Sequence, residues 1–106
     1  MAKKIVIYLS GGGSPIPVAD AALLYPGDDV EWVSGELDVT LTFPQASIFG
    51  QTQLSMPPFV SSATLTVQAG APVSQLMLYQ IVENITGHTF RRAGDPRMQP
   101  VMIFGP

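Results

Sequence analysis

The sequence contains no cysteine among its 106 residues. Disulfide bonds, thiolate metal sites, iron–sulfur clusters and cysteine nucleophiles are therefore excluded, and the redox compartment cannot be read from thiol usage. Histidine is nearly absent too, because His88 is the only one.

Charged residues are scarce and unevenly placed. They make up 12% of the chain, about half the quarter that is usual for soluble domains. No basic residue lies between Lys4 and Arg91, and the net charge is −3. Because nucleic-acid binding needs several lysines or arginines to meet phosphates, we expect no nucleic-acid partner.

Long apolar runs are also lacking. No run approaches the ~20 residues of a membrane helix, so we expect no membrane span. The apolar stretch Ile5–Leu9 is too short for a secretory signal and has no small-residue cleavage site after it. The sequence thus predicts a cytoplasmic protein, unless a native signal peptide has been removed.

What the chain does contain is alternation of apolar and polar residues, separated by ten glycines and ten prolines. Period-two alternation with such turn residues predicts short β-strands. The length fits one domain over residues 1–106. We therefore predict an all-β Greek-key β-sandwich of about eight short strands, which lie near residues 4–9, 16–24, 29–33, 37–43, 63–67, 75–82, 87–91 and 99–104.

Three of these strands carry more specific predictions. Residues 29–33 and 37–43 read as two paired strands joined by a short turn. In the first of them, Trp32 is predicted to anchor the core. Residues 75–82 are apolar on both faces, which is typical of a strand in the middle of a sheet and covered on each side.

The order of segments resembles a cupredoxin. Ala22–Val33 is similar to that family's strand, Gly-Asp turn and aromatic-bearing strand, and Asp38–Phe43 is similar to the alternating strand that follows. Leu76–Val82 resembles the strand before the copper loop, and Asp95–Ile103 resembles the closing strand. The resemblance implies a cupredoxin-like fold.

The family's blue-copper site requires two histidines, a cysteine thiolate and commonly an axial methionine. Leu37 or Asp38 stands near the place of the first histidine, and no cysteine exists anywhere. Met98 matches only the weak axial ligand. The resemblance therefore extends to the fold, without the copper site, and we expect no cofactor.

Two segments are candidates for binding a partner. The stretch from Pro44 to Ser62 has no clear alternation, and loops of this length are often functional. Near the end of the chain, three arginines could meet the acidic stretch Asp28–Asp38 of a second copy, or pair with it inside one chain. The candidate partner-binding residues are Phe49, Phe59, Arg91, Arg92 and Arg97.

These features predict a non-catalytic binding or structural module that binds another protein or self-associates, because monomers rarely expose large apolar patches. The acidic stretch matches no EF-hand spacing, and we interpret it as a solvated rim rather than a calcium site.

Two alternatives stay open. One is a small enzyme centred on His88, with Glu83 or Asp95 orienting the imidazole. The other is a carrier of a small apolar ligand, held in a cavity lined by Met77, Phe90 or Met102.

Overall fold

A computed structural model describes residues 2–10 and 16–106. Within these residues the chain forms eleven β-strands and no helix, which confirms the all-β class. The strands are β1 Lys4–Tyr8, β2 Ile16–Val18, β3 Leu23–Leu24, β4 Asp29–Val33, β5 Val39–Thr42, β6 Gln53–Met56, β7 Ser62–Thr66, β8 Leu76–Leu78, β9 Gln80–Glu83, β10 Phe90–Arg92 and β11 Val101–Phe104.

The expected number of strands is too low for three reasons, the first of which is that the predicted strand 75–82 forms two strands, β8 and β9. The predicted strand 16–24 is divided, because β2 pairs with β10 whereas β3 pairs with β11. Strand β6 lies inside the stretch from Pro44 to Ser62 that the sequence predicts as a loop, although Leu54 and Met56 alternate there with polar Gln53 and Ser55.

The pairing predicted between residues 29–33 and 37–43 is wrong. Strand β4 lies between β1, which is parallel to it, and β7, which is antiparallel. Strand β5 instead lies between β6 and β9. The turn between β4 and β5 is held against the residue before β7, since the Ser34 N–H donates to the Ser61 carbonyl at 2.8 Å. The chain therefore passes from one sheet to another at this turn.

The segment predicted as an inner strand at residues 75–82 connects two three-stranded sheets, β3-β11-β8 and β6-β5-β9. Its first part pairs with β11 and its second part with β5. The prediction that both faces of this segment are covered, however, is wrong. Tyr79 and Ile81 are buried, but Leu76 and Leu78 on the other face are 63% and 44% exposed.

The core is centred on aromatic side chains from different sheets. Trp32 of β4 is fully buried, which confirms its predicted role. Its ring centroid lies 5.7 Å from those of Phe43 and Phe49 and 6.1 Å from that of Tyr79. The indole Nε1–H donates to the Tyr79 hydroxyl at 3.2 Å. Burial raises the pKa of Tyr79, so the phenol stays neutral at ordinary pH.

Asp28, in the turn before β4, is buried with 2% exposure, so the prediction that it belongs to a solvated acidic rim is wrong. Its oxygens accept hydrogen bonds from the Lys3 Nζ at 2.6 Å, the Lys3 N–H at 3.0 Å and the Tyr25 N–H at 2.9 Å. Burial raises the pKa of Asp28, but the hydrogen bonds from Lys3 and Tyr25 together outweigh it, so the pKa lies below its ordinary value. Through these hydrogen bonds the Asp28 carboxylate links Lys3, the residue before β1, to the turn before β4.

Replacing Tyr79 by Phe removes the hydroxyl that accepts the hydrogen bond of the buried Trp32 indole. We expect Tyr79→Phe to lower the free energy of unfolding by about 1–3 kcal/mol, the usual cost of an unpaired buried donor. Tyr8→Phe is the matched control, because the Tyr8 side chain is 72% exposed, and should change stability by less than about 0.5 kcal/mol. Urea unfolding of both variants measures the difference, and equal effects would contradict the role given to the Trp32–Tyr79 contact.

The lowered pKa of Asp28 predicts a pH-dependent contribution to stability. Such a carboxylate stabilises the fold above its unfolded-state pKa of about 3.9, and this contribution is lost as the pH falls through the folded-state pKa. Asp28→Asn should therefore be less stable than the parent at neutral pH, with a gap that narrows below about pH 4. Urea unfolding from pH 7 to pH 2.5 tests this. Glu36→Gln, at an exposed position, controls for the change in net charge, and a gap for Asp28→Asn that is constant with pH would refute the prediction.

Candidate interaction surface

An apolar surface lies on the outer side of the β3-β11-β8 sheet. Ile103 of β11 is directly opposite Leu23 on one side and Leu76 on the other, and residues opposite each other in a sheet point to the same face. Leu78, two residues after Leu76, shares this face. Leu23, Leu76 and Leu78 are 48%, 63% and 44% exposed, and Ile103 lies half-buried between them. We call these four residues the outer leucine face.

Alternation along the three strands explains this arrangement. The intervening residues Leu24, Met102 and Phe104 are buried in the core, and Met77 packs against them. Since every second side chain points inward, the remaining apolar residues point outward; Val101, opposite Leu78, lies on this outer face but is itself buried. None of the residues in β3, β8 or β11 is charged. The outer leucine face is therefore aliphatic and uncharged.

Tyr25 extends this surface at one end. Its side chain is 40% exposed, and its ring lies so close to Gly105 that a Cβ at that position would overlap it. The Lys3 ammonium lies 4.9 Å from the centroid of the same ring. Glycine at position 105 thus allows an aromatic ring to lie over the end of β11, next to the outer leucine face.

The other outer faces carry polar and charged side chains. On β7, Thr64 and Thr66 are exposed, and on the adjoining strands Lys4 and Glu31 form an ion pair at 3.1 Å. On β5, Thr40 donates to the Asn84 amide oxygen at 3.1 Å. On the β1-β4-β7 sheet the exposed apolar residues Val6 and Tyr8 lie among charged and polar side chains, whereas the strands of the outer leucine face carry no charge. Large exposed apolar patches on soluble proteins generally mark interaction sites.

The two candidate phenylalanines are separated by the fold. Phe49 is only 4% exposed and packs on Trp32 and Phe43, so its side chain contributes to the core. Phe59 is 87% exposed at the tip of a tight turn in which the Val60 N–H donates to the Pro57 carbonyl. The structure does not bring them together on one surface.

Two of the three candidate arginines have acidic partners within the chain. Arg92 bonds to Asp20 at 2.7 Å, and Arg97 lies 3.4 Å from Asp95. Arg91 is half-buried and stands opposite Pro17 in the pairing of β10 with β2. The acidic partners are therefore Asp20 and Asp95, not the stretch Asp28–Asp38.

The acidic residues of that stretch are dispersed among different partners. Glu31 pairs with Lys4, Asp29 accepts from the Thr66 hydroxyl at 2.6 Å, and Asp38 accepts from the Asn84 amide at 2.9 Å. Over residues 2–10 and 16–106, no three histidine or acidic side chains come together as a metal site would require.

His88 lies half-buried after the turn that follows β9. Its carbonyl accepts from the Glu83 N–H at 2.8 Å, and its own N–H donates to the Thr86 hydroxyl at 3.2 Å. These are backbone contacts of a turn. The Asp95 carboxylate is directed to Arg97.

Pockets and membrane-spanning helices are not found in the part of the chain that the structure describes. Of the residues expected to line a ligand cavity, Phe90 and Met102 are packed in the core at 1% exposure each, and Met77 packs against the core from β8.

Comparison with known proteins adds no relative to this description: no protein-family model, no curated protein and no solved structure matches the chain.

Proposed function

We propose that this chain is a non-catalytic structural module that self-associates through the outer leucine face. The observation that carries the proposal is the exposure of Leu23, Leu76 and Leu78 side by side on one sheet. Removing such aliphatic surface from water is favourable by roughly 25 cal/mol per Å².

We further propose a Greek-key, cupredoxin-like topology without a blue-copper site. In support, a Gly27–Asp28 turn precedes β4 with its Trp32, the alternating strand β5 follows, and β11 closes the chain. Strands distant in sequence are neighbours in every three-stranded sheet, as Greek-key connections require. At the place of the first copper ligand, Asp38 accepts a hydrogen bond from Asn84.

The partner that fits this surface best is a second copy of the chain. An uncharged face is matched only by another uncharged face, because a charge buried against it would lose its hydration without gaining a counter-charge. A two-fold axis places the same patch of both copies in contact, so the aliphatic side chains of one copy meet those of the other.

Adding charges to the outer leucine face tests the proposal. We expect the double variant Leu76→Lys with Leu78→Lys to lose the association between copies of this face, because four ammonium groups would be buried in the two-fold contact. Light scattering after gel filtration, over a range of protein concentrations, gives the mass of each species.

Thr42→Lys with Thr64→Lys is the matched control, because it adds the same charge at two exposed threonines on other strands. It should keep the parental mass. Thermal unfolding of both variants shows whether each folds. The proposal is overturned if the leucine variant folds and keeps the parental mass, or if the parent is a monomer at every concentration.

A further inference from the structure

Strand β1 has one edge that the described residues leave open. On its other edge, the Asp29 N–H donates to the Lys3 carbonyl and the Leu9 N–H donates to the Val33 carbonyl. Because successive residues of a strand direct their backbone groups to opposite edges, Lys3, Ile5, Ile7 and Leu9 bond to β4. The N–H and C=O groups of Lys4, Val6 and Tyr8 therefore point to the open edge.

The side chains on this edge do not protect it. Val6 and Tyr8 are 40% and 72% exposed, and β1 contains no proline. Lysine on an edge strand usually discourages pairing, but the Lys4 Nζ lies 3.1 Å from a Glu31 carboxylate oxygen of its own sheet. Its charge is thereby balanced within the chain.

Three other edge strands, β2, β6 and β7, carry features that oppose strand addition. Strand β2 contains Pro17, and β6 ends immediately before Pro57. On β7 the Thr66 carbonyl already accepts a hydrogen bond from the Gln68 side chain at 3.0 Å. Prolines and occupied backbone groups are the means by which proteins prevent strand addition. Strand β1 is open by comparison.

We infer that β1 pairs antiparallel with β1 of a second copy, about a two-fold axis at Val6. The two Val6 residues then face each other as a hydrogen-bonded pair, and Lys4 of each copy faces Tyr8 of the other, also as hydrogen-bonded pairs. The three-stranded sheets of the two copies join into one continuous sheet.

Charge complementarity favours a second copy as the occupant. The register places no two like charges opposite each other, and it sets the Lys4 ammonium beside a tyrosine ring, an attractive arrangement. Glu31 is next to Val6 in the same row, so the two Glu31 side chains are separated by three strand spacings, about 14 Å. This exceeds the Debye length of about 8 Å at physiological ionic strength.

The β1 edge and the outer leucine face are separate surfaces. The β1 pairing is independent of the proposed function, and only the size of the assembly rests on both. Each contact is two-fold and uses a different part of the chain. Two different two-fold contacts on one protomer generate an assembly larger than a dimer, as expected of a structural building block.

The first experiment combines variants of the two surfaces and measures mass by light scattering. Val6→Pro removes an N–H that points to the open edge and leaves the bonds to β4 in place, whereas the control Val6→Thr keeps that N–H. Val6→Lys, which opposes two ammonium groups across the axis without altering the backbone, serves if the proline variant does not fold.

We expect the parent to be larger than a dimer, Val6→Pro and the Leu76→Lys, Leu78→Lys variant each to be dimers, and the triple variant to be a monomer. If Val6→Pro and Val6→Lys fold and keep the parental mass, the β1 pairing is overturned. If only the Leu76→Lys, Leu78→Lys variant keeps the parental mass, association through the outer leucine face is overturned and the β1 pairing is supported.

A cross-linking experiment tests the register. In the Leu76→Lys, Leu78→Lys background, Val6→Cys supplies the only thiol of the chain, and the inferred pairing brings the two copies' Cα atoms to about 5.5 Å. A short bis-maleimide should convert the protein to covalent dimer. Thr64→Cys is the control, because Thr64 lies in the same row two strands away, which separates its two copies by about 24 Å. Equal cross-linking at both positions, or none at Val6→Cys, refutes the pairing.

Discussion

The contact between the Trp32 indole and the Tyr79 hydroxyl is the constraint on which the rest of the fold depends. Trp32 comes from the middle of the β1-β4-β7 sheet, and Tyr79 from the junction of β8 and β9. Both side chains are buried, and a buried N–H without an acceptor is costly. The hydrogen bond therefore specifies how the sheets face each other, and Phe43 and Phe49 fill the space around it. Dispersion and burial stabilise this packing, whereas the hydrogen bond selects one arrangement of it.

The inward position of Tyr79 also determines the outer leucine face. Side chains alternate along Leu76–Glu83, so directing Tyr79 and Ile81 into the core directs Leu76 and Leu78 away from it. Pairing with β11 then sets these leucines beside Ile103 and Leu23. An exposed apolar patch is thus a direct consequence of the core, in a strand that is apolar at nearly every position. The exposure of these aliphatic residues is the observation behind the proposed self-association.

The buried Asp28 has a comparable role where the start of β1 meets the turn before β4. By accepting hydrogen bonds from both Lys3 and Tyr25, it fixes the start of β1 against the turn before β4. This contact sets the register in which Lys4 meets Asp29 and Val6 meets Glu31. It consequently determines that the backbone groups of Lys4, Val6 and Tyr8 point to the open edge. Both proposed contact surfaces therefore follow from buried polar groups that hold a strand in one position.

The sequence by itself determined the all-β class and the burial of Trp32, because period-two alternation records which side of a strand is apolar. The lack of cysteine likewise excluded thiolate chemistry. Only the tertiary structure decided that β4 and β5 lie in different sheets, that Phe49 packs in the core, that Asp28 is buried, and that Leu76 and Leu78 are uncovered. The physical reason is that alternation is a local property of one strand. The choice of neighbouring strands, and the presence or absence of cover over a face, depend on residues far away in the chain.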